Sequence, residues 1–468
     1  MPSTDIRSGR LSPEQLARHF ADLHPPLTPA QARIESERCY YCYDAPCVAA
    51  CPTGIDIPSF IRRIAEGNLR GAARAILEEN VFGGMCARVC PTEVLCEQAC
   101  VRNVAEDKPV EIGALQRHAT DHLMAHPGTV PLFVRGAPTG KRVAVVGAGP
   151  AGLACAHRLA WLGHEVVVFD AGAKAGGLNE YGLAAYKTPD GFAQQEIAWL
   201  LAIGGITIRH GHALGRELTL DDLAARHDAV FLAIGLAGVN ALGIAGENDV
   251  AGVENAVEFI ARLRQTDDLA TLPIGRRVLV VGGGMTAIDA AVQSRKLGAE
   301  EVTIVYRRGQ AKMPASAWEQ ALAQRSGVVI RDFGVLKQLH ADDAGRLTGA
   351  TFAQVREDAD GRLVETGASW RAAADMLFKA IGQTLGDAAT AALGGVALQG
   401  GRIRVDARGR TSRERAWAGG DCTFGGRDLT VEGVEHGKIA AHAIDAALRA
   451  GAPAPAGAPI CTHVRRAS

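Results

Sequence analysis

The feature that most constrains this chain is a strand, glycine turn and helix unit that occurs twice. Val143-Ala-Val-Val-Gly147-Ala-Gly149-Pro150-Ala151-Gly152 is echoed by Val278-Leu-Val-Val-Gly282-Gly283-Gly284-Met285-Thr286-Ala287. In each copy a β-branched apolar run enters the glycines and an amphipathic stretch leaves them. The first glycine makes a tight turn, the second lets a pyrophosphate approach the backbone, and the third small residue lets helix and strand pack closely. The pyrophosphate then rests on the helix N-terminus, where backbone N–H groups are unpaired. Two such units in succession predict two Rossmann-like α/β dinucleotide-binding domains.

The two units differ in their second strands. The strand Glu165-Val-Val-Val-Phe ends in Asp170, a carboxylate at the position that accepts ribose hydroxyls of an adenosine. The corresponding strand of the second unit, Glu301-Val-Thr-Ile-Val-Tyr, ends in Arg307 and Arg308. An acid there would repel a 2′-phosphate, whereas arginines can pair with one, so NADPH is a reasonable substrate and NADH is not excluded.

Composition excludes some classes of partner. Lys and Arg number 50 against 51 Asp and Glu, for a formal charge of −1, so the chain has no electrostatic footprint for nucleic acid. No apolar run reaches the roughly 18 residues of a membrane span, and MPSTDIRSGR lacks the apolar core of a secretory signal. A cytoplasmic protein is expected. HPGTVPLFVRGAPTG, from His126 to Gly140, reads as a connector, and AGAPAPAGAP, from Ala450 to Pro459, as a low-complexity tail.

Eight of the 11 cysteines fall between Cys39 and Cys100, among helical patterns such as Pro58-Ser-Phe-Ile-Arg-Arg-Ile-Ala. They form two groups of four: Cys39, Cys42, Cys47 and Cys51, then Cys86, Cys90, Cys96 and Cys100. Cys51 and Cys90 each precede a proline, as in the ferredoxin run, although the middle interval of four residues departs from that pattern. Paired cysteines also build four-thiolate zinc sites. Iron–sulfur is favoured because Cys-Pro occurs in both runs.

Residues 140 to 447 resemble the flavoprotein reductases with two dinucleotide domains, in which the first fold binds FAD and an inserted second fold binds the nicotinamide nucleotide. The resemblance extends to Gly176-Gly177-Leu178, the crossover segments Ala233-Ile-Gly235 and Ala380-Ile381-Gly382, and Ala418-Gly-Gly420-Asp421. It implies that Asp421 meets the flavin's ribityl or phosphate region. The segment beginning Leu429-Thr430-Val431 would be a helix facing the pyrimidine edge, with His436 on its surface. The redox-active cysteine pair usual in such reductases is missing from 140 to 447, so electrons must leave by another route.

The whole chain resembles both the glutamate synthase small subunit and the N-terminal half of dihydropyrimidine dehydrogenase, which in bacteria is a separate NAD-linked subunit. The dehydrogenase pattern, carried over position by position, implies two [4Fe–4S] clusters, one held by Cys39, Cys42, Cys47 and Cys100. The other would be held by Cys51, Cys90, Cys96 and Gln116, an unusual glutamine ligand of that dehydrogenase family, leaving Cys86 unligated. A competing reading makes Cys86 the ligand and Gln116 a helix-surface residue. The expected layout is multi-domain: a helical iron–sulfur domain at 1–135, an FAD domain at 136–272 and 384–450, an inserted NAD(P) domain at 273–383, and a tail at 451–468.

The resemblance implies that NAD(P)H reduces FAD and that the clusters pass electrons to an FMN and iron–sulfur subunit, in a heterotetramer that reduces uracil and thymine. A glutamate synthase large subunit is the alternative acceptor. An alternative of another class is a non-redox, zinc-stabilised nucleotide-sensing module. No general acid, base or nucleophile is expected, since hydride transfer to flavin is cofactor chemistry.

Overall fold

The computed structural model describes residues 5–126 and 128–450; the expected tail lies outside them. The first region is helical for local reasons. In the helix Ile57–Ala65 the Asp56 carboxylate caps the N-terminus, accepting from the Ser59 N–H at 3.1 Å. Ile57, Phe60, Ile61 and Ile64, three and four apart, make its buried face. Gly67, at φ +76°, turns the chain, and Asn68 caps the helix Leu69–Glu79 by accepting from Gly71. These helices and Ile112–Ala125 share one apolar core. Around its edge lie the cysteines, with Cys47 in the short helix Pro46–Ala50 and Cys86 in the helix Gly83–Val89, which Cys90 terminates.

The first glycine unit belongs to a five-stranded parallel sheet in the order Ala416–Ala418, Ala229–Leu232, Arg142–Val146, Glu165–Asp170, Ile206–His210. Its central strands are buried on both faces, which explains their continuous apolar runs. The helices Pro150–Trp161 and Thr430–Arg449 pack so closely that a Cβ on Gly437 would stand 2.3 Å from the Ala151 carbonyl oxygen.

The second unit lies in another five-stranded parallel sheet, ordered Val253–Asn255, Met376–Ala380, Arg277–Gly282, Glu301–Val305, Val328–Arg331. This fold begins earlier than the expected boundary at 273, since it includes the strand Val253–Asn255 and the helix Ala256–Arg264. The crossings between folds pair as a two-stranded ribbon, Gly238–Val239 with Gln383–Thr384. An antiparallel sheet of Gly334–Ala341, Leu347–Glu357 and Leu363–Ala373 is added to the second fold.

Tertiary contacts hold the three regions together. Residues at the N-terminal end, expected with the iron–sulfur domain, lie on the second fold: Arg7 pairs with Ile274, and Leu16 and Phe20 enter its core, each contributing about 2 kcal/mol by burial. Arg117 ties that segment back to the iron–sulfur region through Asp22 at 2.6 Å. The guanidinium of Arg264, in the second fold, donates to the carbonyls of Asn179, Glu180 and Thr188 in the first.

Candidate functional site

A cleft of about 300 Å³ opens where the two parallel sheets and the cysteine region meet. Its floor is the first glycine turn. Gly147, at φ +105°, passes so close to Ala233 that a Cβ would lie 2.1 Å from the Ala233 carbonyl oxygen, and one on Gly152 would lie 1.9 Å from that of Gly147. Gly152 therefore serves packing and is not among the lining residues, whereas Gly147, Gly149, Pro150 and Ala151 are. Asp170 closes one end and braces the turn, accepting from the Ala148 N–H at 2.6 Å and the Gly172 N–H at 2.7 Å.

Gly177 and Leu178, Gly420 and Asp421, and Leu429, Thr430 and Val431 form further walls. The helix Thr430–Arg449 presents its N-terminal end there, and the Thr430 hydroxyl donates to the Asn179 side-chain oxygen at 2.6 Å. His436 is not a bare surface residue: its Nδ1 accepts from the Gly420 N–H at 3.1 Å and so holds the loop before Asp421. Burial pushes Asp421 above the ordinary carboxylate range, and enclosure by the cleft walls together with the charges of Asp421 and Asp289 pushes Asp428 upward too, although Asp428 still opens to solvent.

The second fold meets this cleft through Met285, Thr286 and Asp289, at the start of the helix Met285–Lys296. Gly282, Gly283, Gly284 and Ala287 form its turn outside the cleft, with Gly282 at φ +144° against Ala380. The crossover Ala380-Ile381-Gly382 is braced by Asn240, which bonds the Ile381 and Gly382 carbonyls. The two arginines diverge. Arg308 is held by Glu357 and the Gly361 carbonyl, each at 2.9 Å, while Arg307 is exposed. Sequence reasoning treated them alike because the partner, Glu357, comes from a strand 49 residues away.

Of the cysteines, Cys39, Cys42, Cys47 and Cys100 line one small cavity. Burial, reinforced by Cys39 and Cys100, pushes the Cys47 thiol up to about 12, and burial raises Cys39 too. Cys90 and Cys96 are pushed well up by burial, and the charge of Cys51 bears on both. Thiols shielded and grouped in this way, half-buried apart from the buried Cys96, hold their thiolate form when cations bind them, which is what an iron–sulfur cluster supplies. All are free thiols, and among the described residues no trio of thiols, imidazoles or carboxylates surrounds a single point as a mononuclear metal centre requires. Gln116 is buried, and its amide donates to the Gly83 carbonyl; Cys86 is buried beside Asn80.

Cys90 and Pro91 also line the glycine cleft. One cavity thus touches both dinucleotide folds and a cysteine expected to hold a cluster.

A model described as dihydropyrimidine dehydrogenase domain II, 4Fe-4S cluster, matches residues 16–127, and one described as pyridine nucleotide-disulphide oxidoreductase matches 141–443. The chain belongs to this family of iron–sulfur flavoprotein oxidoreductases. The oxidoreductase is 35% identical over 429 residues to the NAD-dependent dihydropyrimidine dehydrogenase subunit PreT of Escherichia coli O157:H7, covering 91% of this chain and 96% of the relative. It is 32% identical to the glutamate synthase [NADPH] small chain of Escherichia coli K12, covering 91% and 93%. In fold it resembles Mycobacterium tuberculosis FprA in complex with NADPH, with a TM-score of 0.55 at 17% identity over 66% of this chain and 85% of that one.

FAD, [4Fe–4S] clusters and a nicotinamide nucleotide are therefore the groups this oxidoreductase uses, and its glycine cradle and grouped free thiols fit them. The 4Fe-4S match sets aside the zinc-stabilised sensing module. Among the described residues no helix is long and apolar enough to cross a membrane. The sequence reading gave no role to Lys187 and Asp289, which line the cleft, because the ion pairing that singles them out joins residues more than 100 positions apart.

Proposed function

We propose that this oxidoreductase is the electron-input subunit of a cytoplasmic dihydropyrimidine dehydrogenase. It takes electrons from NAD(P)H and hands them to an FMN and iron–sulfur partner, in a heterotetramer, that reduces uracil and thymine to 5,6-dihydropyrimidines. The observation that carries the electron route is the shared cleft, which Met285 and Thr286 enter from the nicotinamide side and Cys90 from the cysteine side. FAD, when bound, accepts a hydride and returns its electrons singly, and [4Fe–4S] clusters carry them.

In this reading the residues orient and exclude. Gly147, Gly149 and the N-terminus of Pro150–Trp161 cradle the FAD pyrophosphate, Asp170 receives adenosine ribose hydroxyls, and Asp421 meets the ribityl chain. The N-terminal end of Thr430–Arg449 stabilises negative charge on the flavin's pyrimidine edge. Gly282, Gly283, Gly284 and Ala287 would seat the nicotinamide nucleotide's pyrophosphate, the crossover Ala380-Ile381-Gly382 would border it, and Arg307 would face its 2′ position. Cys39, Cys42, Cys47 and Cys100 would hold one cluster; Cys51, Cys90, Cys96 and Gln116 would hold the one nearer the flavin.

The pyrimidine acceptor is favoured by the Gln116 amide. Its nitrogen is engaged by Gly83, so its oxygen is the end left to bind iron. The glutamate synthase reading is supported by the 32% identity to the small chain. The test is to purify the chain anaerobically with its partner. NAD(P)H-dependent consumption of uracil or thymine supports the proposal, while glutamate formation from glutamine and 2-oxoglutarate, with no pyrimidine turnover, transfers the same electron route to the other acceptor.

A further inference from the structure

Lys187 lines the flavin cleft, yet its ammonium points into a buried acid pair: Nζ lies 2.8 Å from Asp289 Oδ1 and 2.6 Å from Glu319 Oε1. All three side chains are at most 6% exposed. We propose that Asp289, Lys187 and Glu319 form the path by which the proton released on flavin reoxidation leaves the cleft.

The chemistry demands such a path. Reoxidation of two-electron-reduced flavin balances as FADH⁻ giving FAD, two electrons and one proton. The electrons pass to the clusters through the side of the cleft that Cys90 lines. A thiolate-bound cluster offers no equivalent route for the proton, which needs a titratable group beside the flavin to take it up. Asp289, on the cleft wall, is placed to take it. Lys187 then gives a proton to Glu319 as it accepts one from Asp289, so the ammonium is restored and one proton has moved outward.

Three features separate a relay from a simple domain tie. One ammonium between two carboxylates carries a net charge of −1 unless an acid holds a proton, and a single Lys–Asp pair would tie the folds at lower desolvation cost. Burial raises Glu319 above the ordinary carboxylate range, which favours its taking up the proton in transit from Lys187; burial pulls Lys187 down, but the two acids outweigh it and keep it charged. Glu319 Oε2 is buried with no hydrogen-bond partner, leaving an acceptor for the next transfer.

The surroundings are defined. Asp428, Arg264 and the Tyr186 hydroxyl face Asp289, the last at 3.5 Å. Glu93 and His24 face the Lys187–Glu319 end. Glu93 accepts from the Ser316 hydroxyl at 2.6 Å, and His24 stacks on Trp318. Both are partly exposed, so this end reaches solvent.

The relay rests on the electron-input reading but not on the final acceptor. The full holo-protein is reduced with NADPH or NADH in anaerobic single turnover, following flavin absorbance, cluster absorbance and proton release to an indicator dye, in H2O and D2O. In Glu319→Gln, flavin reduction is expected to keep its wild-type rate, while cluster reduction and proton release slow together by about 100-fold with a larger solvent isotope effect. Glu319→Asp is expected to restore part of the rate. Lys187→Arg keeps the charge that ties the folds but holds its protons more tightly than an ammonium does, so it carries the test if Glu319→Gln does not fold. Wild-type cluster reduction, proton release and isotope effect in the folded variants overturn the relay. Wild-type protein whose flavin is not reduced by either nucleotide, or whose clusters do not become reduced after it, overturns the electron-input reading instead.

Discussion

The side-chain nitrogen of Gln116 donates to the Gly83 carbonyl across 2.7 Å, inside the core of the cysteine region. Because a carbonyl can only accept, this bond fixes the orientation of the amide and leaves its oxygen as the second functional end. Cys86, three residues after Gly83, is fully buried beside Asn80, and burial pushes its thiol well above the ordinary range. The two candidates for the last ligand position thus sit in different chemical settings.

Gln116→Leu should remove one cluster. Iron should fall from about eight to about four atoms per chain, with FAD retained, whereas Cys86→Ser should keep about eight. Iron analysis with low-temperature electron paramagnetic resonance reads both. The reverse pattern would make Cys86 the ligand.

Asp170→Ala should release FAD. The substitution removes the ribose acceptor and leaves the Ala148 and Gly172 N–H groups without their 2.6 and 2.7 Å partner, a loss of about 1–3 kcal/mol per unsatisfied group. Flavin-to-protein ratio after gel filtration checks it, with retention at wild-type stoichiometry counting against Asp170.

The arginine pair should split in function. Arg307→Ala is expected to raise KM for NADPH roughly tenfold while barely changing KM for NADH, if Arg307 faces a 2′-phosphate. Arg308→Ala breaks the link to Glu357 and should act on thermal stability, not on the choice of nucleotide. Steady-state kinetics with both nucleotides, using an artificial electron acceptor, separates the two.

Glu196 gives a pH signature. It accepts from the Gly84 and Met85 N–H groups, but complete burial raises its pKa from 4.5 to about 8. The folded protein then binds a proton that the unfolded chain has lost, so this residue's contribution to stability falls as pH rises from about 4.5 to about 8. Glu196→Gln should flatten the dependence of Tm across that window. An unchanged slope would show that the carboxylate is already ionised in the folded state.

Gly437→Ala tests the close packing beneath the flavin site. The added Cβ would meet the Ala151 carbonyl oxygen at 2.3 Å and the Cys155 backbone nitrogen at 2.9 Å. Overpacking of this kind costs about 1–3 kcal/mol, so Tm should fall by several degrees and FAD retention should weaken.

How much could be read in advance depends on the distance along the chain over which each feature is specified. The glycine turns, Asp170 and the cysteine runs are written within short windows, because backbone strain, pyrophosphate approach and thiolate ligation each demand a residue type at a fixed spacing. The order of the regions was legible for the same reason. The start of the second fold was not, since Val253–Asn255 is a three-residue edge strand recognised only by its pairing with Met376–Ala380.

By itself the sequence determined that two dinucleotide folds come after a cysteine-rich helical region, and hence the redox class. Tertiary structure alone decided that Cys90 shares a cleft with Met285, that His436 holds Gly420, that Arg308 turns to Glu357, and that Lys187 lies between Asp289 and Glu319, 102 and 132 residues further on. Hydrogen bonds and ion pairs act over a few ångströms, so such distant partners leave no local pattern and become specific only when packed helices and sheets bring their atoms together.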